Sequence, residues 1–380
     1  MKYFHLPALI GIFLIATLFN GCVNSGHHKI KADNTAFTIE PLRYAREFNI
    51  KNYSTFKVLE VRNSWDTLHA LARYVLVPRS KPLPPNLPEG IIIRTPVQSI
   101  GCTTTVDACM VARLEVLPLI NAVAERDYMH QPFIDEQFKK GKITEIGSSM
   151  NVSVEKLMKA NPEILFVSPF KDNKYGHLKQ TGVPLIQIAN YLENHPLGRA
   201  EWILFYGAFF EEDLLARKIF DSISSHYEQL ASLTRNLTPR PTIFSGKLIG
   251  NLWYMAGGKS YPARFFKDAG ADFIWANRPE SGSFPLDFET VYQKAINADY
   301  WQILEFYNGS YSYQNLKTEY PPYAHFKAFQ KKQVIFCNTH YRDYYEQGLL
   351  EPDIILADLI NILHPGVLKN HEQKYFALLK

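Results

Sequence analysis

Two series of alternating strand-like and helix-like segments stand on either side of a stretch that reads as helix from 197 to 237, and this arrangement restricts the chain to few architectures. Short apolar runs alternating with helical spacing mark βα units, in which helices cover the faces of a parallel sheet. In the first series the spacing predicts a strand end at 97–100, a helix over 103–117 with Thr103 or Thr104 as its N-cap, and strands at 122–125, 164–167 and 184–188. Helices are expected over 153–159 and again just before Gly182. The second series predicts strands at 242–244, 273–275, 301–306 and 334–337, with helices over 262–268, 288–297 and 354–363. Between the two, Leu215, Ile219, Ile223, Tyr227 and Leu230 recur every three or four residues, the apolar stripe of a strut. The expected fold is α/β, with two lobes joined by a long linker helix.

Ahead of the lobes the pattern differs. Residues 56–62 and 72–77 alternate in the strand manner and suggest an antiparallel hairpin, closed by a connector containing Pro82, Pro84, Pro85 and Pro88. Further upstream, Lys2 precedes an apolar run over 6–19, shorter than the ~20 residues a spanning helix needs, which reads as a signal peptide. It stops at Asn20-Gly21-Cys22, which resembles the lipobox of bacterial lipoproteins, with Cys22 as the acylated first residue. The organisation expected is a signal peptide at 1–21, a lipoprotein tether at 22–36, a β-rich extension at 37–90, an N-terminal α/β lobe at 91–195, a helical linker at 196–237 and a C-terminal α/β lobe at 238–380. Cys102, Cys109 and Cys337 then remain, an odd number that argues for free, mostly buried thiols. Forty-one Lys and Arg against 37 Asp and Glu are too evenly balanced for a nucleic-acid partner.

Reaction signatures are missing: no phosphate-binding G-x-x-x-x-G-K-[ST], no G-x-G-x-x-G after a strand, no G-x-S-x-G, no H-E-x-x-H and no paired C-x-x-C. The chain is therefore expected to be no enzyme, with no cofactor and no resident metal. Ligands of open α/β sheets sit beyond the carboxyl ends of the strands, so two facing lobes point to a ligand clamped between them.

Several motifs carry a more specific likeness. Asn161-Pro162-Glu163-Ile164-Leu165-Phe166-Val167, Gly182-Val183-Pro184-Leu185, Pro196-Leu197-Gly198-Arg199-Ala200-Glu201-Trp202, Asp268-Ala269-Gly270-Ala271-Asp272, Asn297-Ala298-Asp299-Tyr300-Trp301 and the run from Leu356 to Pro365 follow one another in order. Together they resemble the periplasmic binding proteins for iron chelates and cobalamin, the helix-linked class III substrate-binding proteins of ABC importers. The resemblance implies two Rossmann-like lobes, with the 37–80 segment outside the shared core. It also implies a monomeric lipoprotein of the cell envelope, lipid-anchored and facing the periplasm, that delivers a metal chelate to an ABC permease in the inner membrane. Iron-siderophore, haem and cobalamin stay open as ligands. The alternatives are a bare transition-metal binder on the same fold, for which His130, His177 and His340 are scattered, and an envelope enzyme of unknown reaction.

Strand ends and the family layout nominate the ligand-binding residues. From the first lobe these are Thr103 and Thr104, at a helix start where free N–H groups favour anionic atoms, followed by Tyr128, Phe170 and Tyr175. The second lobe offers Trp253, Tyr254, Ser283, His340, Arg342 and Tyr344, the last three in a stretch bulkier than the glycine-rich sequence of relatives. Arg199 and Glu201 read as structural residues at a helix start. The resemblance further nominates Glu136 and Asp272 as the carboxylates that dock on the permease.

Overall fold

The computed structural model describes residues 36–171 and 175–380, so Cys22 and the signal peptide lie outside the described residues. The chain opens with a five-stranded sheet in the order β1 (Phe37–Ile39), β2 (Phe48–Tyr53), β3 (Lys57–Val61), β4 (Ala72–Pro78) and β5 (Ile91–Thr95). The first four strands form an antiparallel meander that contains the expected hairpin, Lys57 facing Leu76 and Val61 facing Ala72. After the proline connector, β5 returns parallel to β4 and joins the same sheet.

The first lobe contains β6 (Ile100–Cys102), α1 (Thr105–Arg113), β7 (Ile120–Val123), α2 (Pro132–Lys139), β8 (Thr144–Glu145), the ribbon β9 (Gly147–Ser148) and β10 (Asn151–Val152), α3 (Val154–Ala160), β11 (Ile164–Val167), α4 (Gly176–Lys179) and β12 (Leu185–Gln187). Its sheet runs β12-β11-β6-β7-β8 with every neighbouring pair parallel. All four residues of β11 are buried, as a strand covered on both faces requires. Ser153 starts α3 by accepting from the Lys156 N–H at 3.3 Å, and Asn161, in the left-handed region just before Pro162, stops it.

The linker is three helices where the sequence suggests one: α5 (Pro196–Glu201), α6 (Ile203–Phe210) and α7 (Asp213–Thr234). Glu211, at φ 60°, breaks the path between α6 and α7. Every residue of α6 is buried, because it lies between the N-terminal sheet and the first lobe, Phe205 and Phe209 against Tyr74 and Phe209 against Phe166. The 22-residue α7 is the long strut, about 33 Å at 1.5 Å per residue.

The second lobe contains β13 (Thr242–Ser245), β14 (Leu248–Ile249), β15 (Leu252–Ala256), α8 (Tyr261–Asp268), β16 (Asp272–Phe273), β17 (Ser283–Leu286), α9 (Phe288–Ala295), β18 (Tyr300–Glu305), α10 (Tyr313–Glu319), α11 (Lys327–Gln330), β19 (Val334–Asn338), α12 (Pro352–Leu363) and β20 (Ala377–Leu378). The main sheet runs β16-β13-β18-β19-β20, parallel except for β20, and β14-β15-β17 form a separate antiparallel sheet. Cys102, Cys109 and Cys337 are free and buried.

The extension is fastened where the first lobe meets the linker by two buried glutamates, Glu193 and Glu201. Glu201 accepts from the backbone N–H groups of Arg43, Tyr44 and Ala45 at 2.7–2.8 Å, so it is structural as expected, although it ends α5 and does not start it. Glu193 accepts from those of Arg46 and Glu47 at 2.9–3.0 Å and from the Trp202 indole at 3.0 Å. Removing a buried acceptor leaves its donors unsatisfied at about 1–3 kcal/mol each. Glu201→Ala should therefore lower stability by about 3–5 kcal/mol, read as a lower denaturation midpoint at unchanged slope. Asp221→Ala, which removes an exposed ion pair with Arg43, should cost under about 1 kcal/mol. Equal losses would show that the extension is held by something other than the buried carboxylate.

Candidate functional site

The carboxyl ends of β6, β7, β11 and β12 in one lobe and of β18 and β19 in the other lead into loops that carry most of the exposed aromatic side chains. Tyr128 follows β7, Phe170 follows β11, Tyr191 follows β12, Phe306 follows β18, and Tyr341 and Tyr345 follow β19. Tyr128 is 54% exposed and Phe306 57%, yet the two rings meet edge-on across the cleft with centroids 6.5 Å apart. Beside them His130 of the first lobe approaches Asp343 of the second, Nδ1 to Oδ1 3.4 Å. Phe170 pairs with Tyr191 at 6.3 Å within the first lobe. His340 sits between Phe306 and Tyr341, with centroids 4.8 Å and 4.5 Å away. The site is thus an aromatic-walled cleft.

Other nominated residues are occupied elsewhere. Trp253 has no exposed surface. On β15 it faces inward, its indole N–H donating to the Ser245 carbonyl at 2.8 Å and its ring packed among Phe244, Trp301, Tyr323 and Phe326. The neighbouring Tyr254 alternates to the outer face and is exposed, with Ser283 on the adjoining strand opposite Ala256. Tyr175 is also a core residue, its hydroxyl donating to the Ser168 carbonyl and its ring packed with Leu165 and Leu178 in one apolar cluster. Tyr344 is largely buried, in contact with Tyr345, Tyr375 and Phe376.

Thr103 is buried, and Thr104 is spent on a capping box, accepting from the Asp107 N–H at 3.2 Å while its own N–H and hydroxyl reach the Asp107 carboxyl at 2.9 and 2.8 Å. The helix start therefore already holds a carboxyl group of its own. Burial pushes the Asp107 pKa up, opposed by donation from Tyr206 at 2.6 Å and from Thr104. Arg342 is exposed and donates to the Lys374 carbonyl at 2.6 Å, so it pairs with neither Asp343 nor Glu346. Glu136 is exposed and bridged to Lys140, which lowers its pKa. Asp272 is exposed with Arg240 at 3.0 Å. Asp135, adjacent to Glu136, is tied to Arg126 at 2.8 Å.

Phe306 and Tyr191 are cleft residues that the sequence reading does not single out. The available signal is an aromatic a few residues beyond the last apolar residue of a parallel strand. Among the described residues no group of three or more His, Cys, Asp or Glu side chains converges to hold a metal ion, and no helix is long and apolar enough to cross a membrane.

Two parallel-sheet lobes bridged by a long helix, with a cleft at their strand ends, define the class of two-lobed solute-binding proteins. Its representatives include a periplasmic heme-binding protein from Pseudomonas aeruginosa, similar in fold with a TM-score of 0.59 at 15% identity over 75% of this chain and 98% of that one. In sequence the chain is 30% identical to the uncharacterized lipoprotein MJ0878 of Methanocaldococcus jannaschii over 64% of this chain and 58% of that protein. It is 26% identical to the uncharacterized lipoprotein MJ0872 of the same organism over 98% and 99%. The profile of the Periplasmic binding protein family matches residues 111–341, and the chain belongs to that family.

The inward turn of Trp253 makes it a stability residue. Trp253→Ala should cost about 3–5 kcal/mol, whereas Phe306→Ala should cost under about 1 kcal/mol. The opposite order in denaturation would return Trp253 to the cleft.

Proposed function

We propose that this protein is the lipid-anchored substrate-binding component of an ABC importer, which captures a metal chelate between its lobes and delivers it to an inner-membrane permease. The observation that carries the reading is the set of exposed aromatics at the strand carboxyl ends, with Tyr128 and Phe306 brought together from opposite lobes. Exposed aromatic faces suit a large, planar or conjugated ligand, to which each offers about 0.5–1.5 kcal/mol beyond the area it buries. Similar folds in solved structures include haem-binding proteins and a component of an Fe3+-hydroxamate transport system, which supports a chelate over a bare ion. Cys22 would supply the anchor, in keeping with relatives named as lipoproteins, and Glu136 and Asp272 would dock on the permease.

Visible absorption during titration with haemin, a ferric siderophore and cyanocobalamin in turn tests the cleft. One of the three should bind, and Tyr128→Ala with Phe306→Ala should weaken it about tenfold. Wild-type affinity in the double variant, or no binding of any of the three, would overturn the assignment. In cells, Cys22→Ser should move the protein out of the membrane fraction, and Glu136→Lys with Asp272→Lys should stop uptake at unchanged affinity. Unchanged fractionation would remove the anchor, and normal uptake the docking residues.

A further inference from the structure

Arg199 has no part in the function proposed so far. It stands on α5 immediately after the β12 loop, with Cζ 4.4 Å from the centroid of the Tyr261 ring. Its Nε is buried without an acceptor, and among the described residues no carboxylate or carbonyl takes a hydrogen bond from the guanidinium. The group enters a cavity of about 20 Å3 lined also by Tyr261, Phe265, Tyr344, Tyr345 and Leu349. None of the three phenols donates to an acceptor among the described residues. Tyr344 and Tyr345 are protonated at neutral pH like any phenol, and burial raises both pKa values further, that of Tyr345 to about 12. The recess therefore offers a guanidinium fork and three hydroxyl groups, and no carboxylate lines it.

Its position is equally informative. The 344–349 segment follows the carboxyl end of β19, and α5, α8 and α12 supply the rest of the lining. Tyr345, 54% exposed, lines the recess and belongs to the same loop as Tyr341. A volume of this size admits a single small polar group and not a whole chelate.

We propose that the recess receives a carboxylate arm of the bound chelate, with Arg199 selecting anionic over neutral ligands. Arginine is suited to this by its two parallel N–H groups, which match a carboxylate edge. The identity of the arm rests on the chelate reading, whereas the anion selectivity of the recess does not.

The two parts are tested separately. In 15N-labelled protein, acetate should shift the Arg199 Nε–H resonance saturably in the millimolar range. The resonance is assigned by its disappearance in Arg199→Gln. Acetamide, and chloride at matched ionic strength, should not produce that shift. Equal or non-saturating shifts with all three would overturn the recess. Haemin and its dimethyl ester then probe the arm. Wild type should favour the free acid at least tenfold, and Arg199→Gln should lose the preference while keeping its affinity for the ester. Arg199→Lys, which retains charge without the fork, should fall between. A preference that survives Arg199→Gln would overturn the arm. Absence of binding to both porphyrins, with the acetate response intact, would reject a porphyrin carboxylate as the arm and leave the anion site standing.

Discussion

Five consecutive backbone N–H groups, from Arg43 to Glu47, end on the carboxylates of Glu201 and Glu193, and the placement of the linker depends on that junction. A segment with five adjacent free donors cannot be buried without acceptors, and two ionisable side chains cannot be buried without donors. Each satisfies the other. Burial raises the Glu193 pKa, while donation from Arg46, Glu47 and Trp202 opposes the rise. The approach is close enough that a Cβ on Gly198 would stand 3.1 Å from both Glu193 Oε2 and the Tyr44 carbonyl oxygen, so a larger residue there would require these neighbours to give way. Because α5 carries Arg199, the same junction holds the helix that lines the recess.

From that anchor the extension runs along the strut. Asp213, Arg217, Asp221, Ser224 and Glu228 lie three or four residues apart on α7, one stripe of the helix. They meet Lys57, Glu40, Arg43 and Tyr44 in turn. Exposed ion pairs of this kind contribute about 0–1 kcal/mol each, so the stripe fixes direction more than it adds stability. The fastening comes from buried contacts: Tyr74 donates to the Leu185 carbonyl at 3.0 Å and accepts from the Gln187 N–H at 2.7 Å. An extension outside the shared family core thus splints the first lobe to the linker.

Most of the fold was legible because parallel strands buried on both faces read as continuous apolar runs between turn signals. Residues 164–167 and 334–337 carry that signature and are strands at those positions. The β14-β15-β17 sheet lacked it, and the misplacement of Trp253 follows. Consecutive strand residues face opposite sides, so Trp253 and Tyr254 are equivalent in sequence until packing decides which turns inward. Thr104 failed for a different reason: a free helix N-terminus and one capped by a buried Asp107 differ only in whether the aspartate turns back, which Tyr206 of the distant α6 helps to fix. Tyr128 and Phe306 lie too far apart in sequence for any local pattern to pair them. Arg199 read as structural because its motif names a helix start, while the absence of an acceptor is a property of the surrounding aromatic walls.

The way the cleft loop is held decides what moves when a ligand enters. Behind residues 339–351 the C-terminal tail is tied to α12, where fully buried Asp358 accepts from the N–H groups of Lys374, Tyr375 and Phe376 and from His371. The tail in turn accepts from Arg342 through the Lys374 carbonyl and reaches Glu351 through Lys374 and Tyr375. A loop fastened at both ends moves with its lobe and does not act as a separate lid. On the opposite wall Tyr128 and His130 stand on the segment after β7, tied to α2 through Arg126 and Asp135. The contacts between the walls include an edge-on ring pair at 6.5 Å and a partly exposed His–Asp approach at 3.4 Å, each small beside the buried polar junctions within the lobes. Separating the walls at these points would leave the buried junctions within each lobe intact.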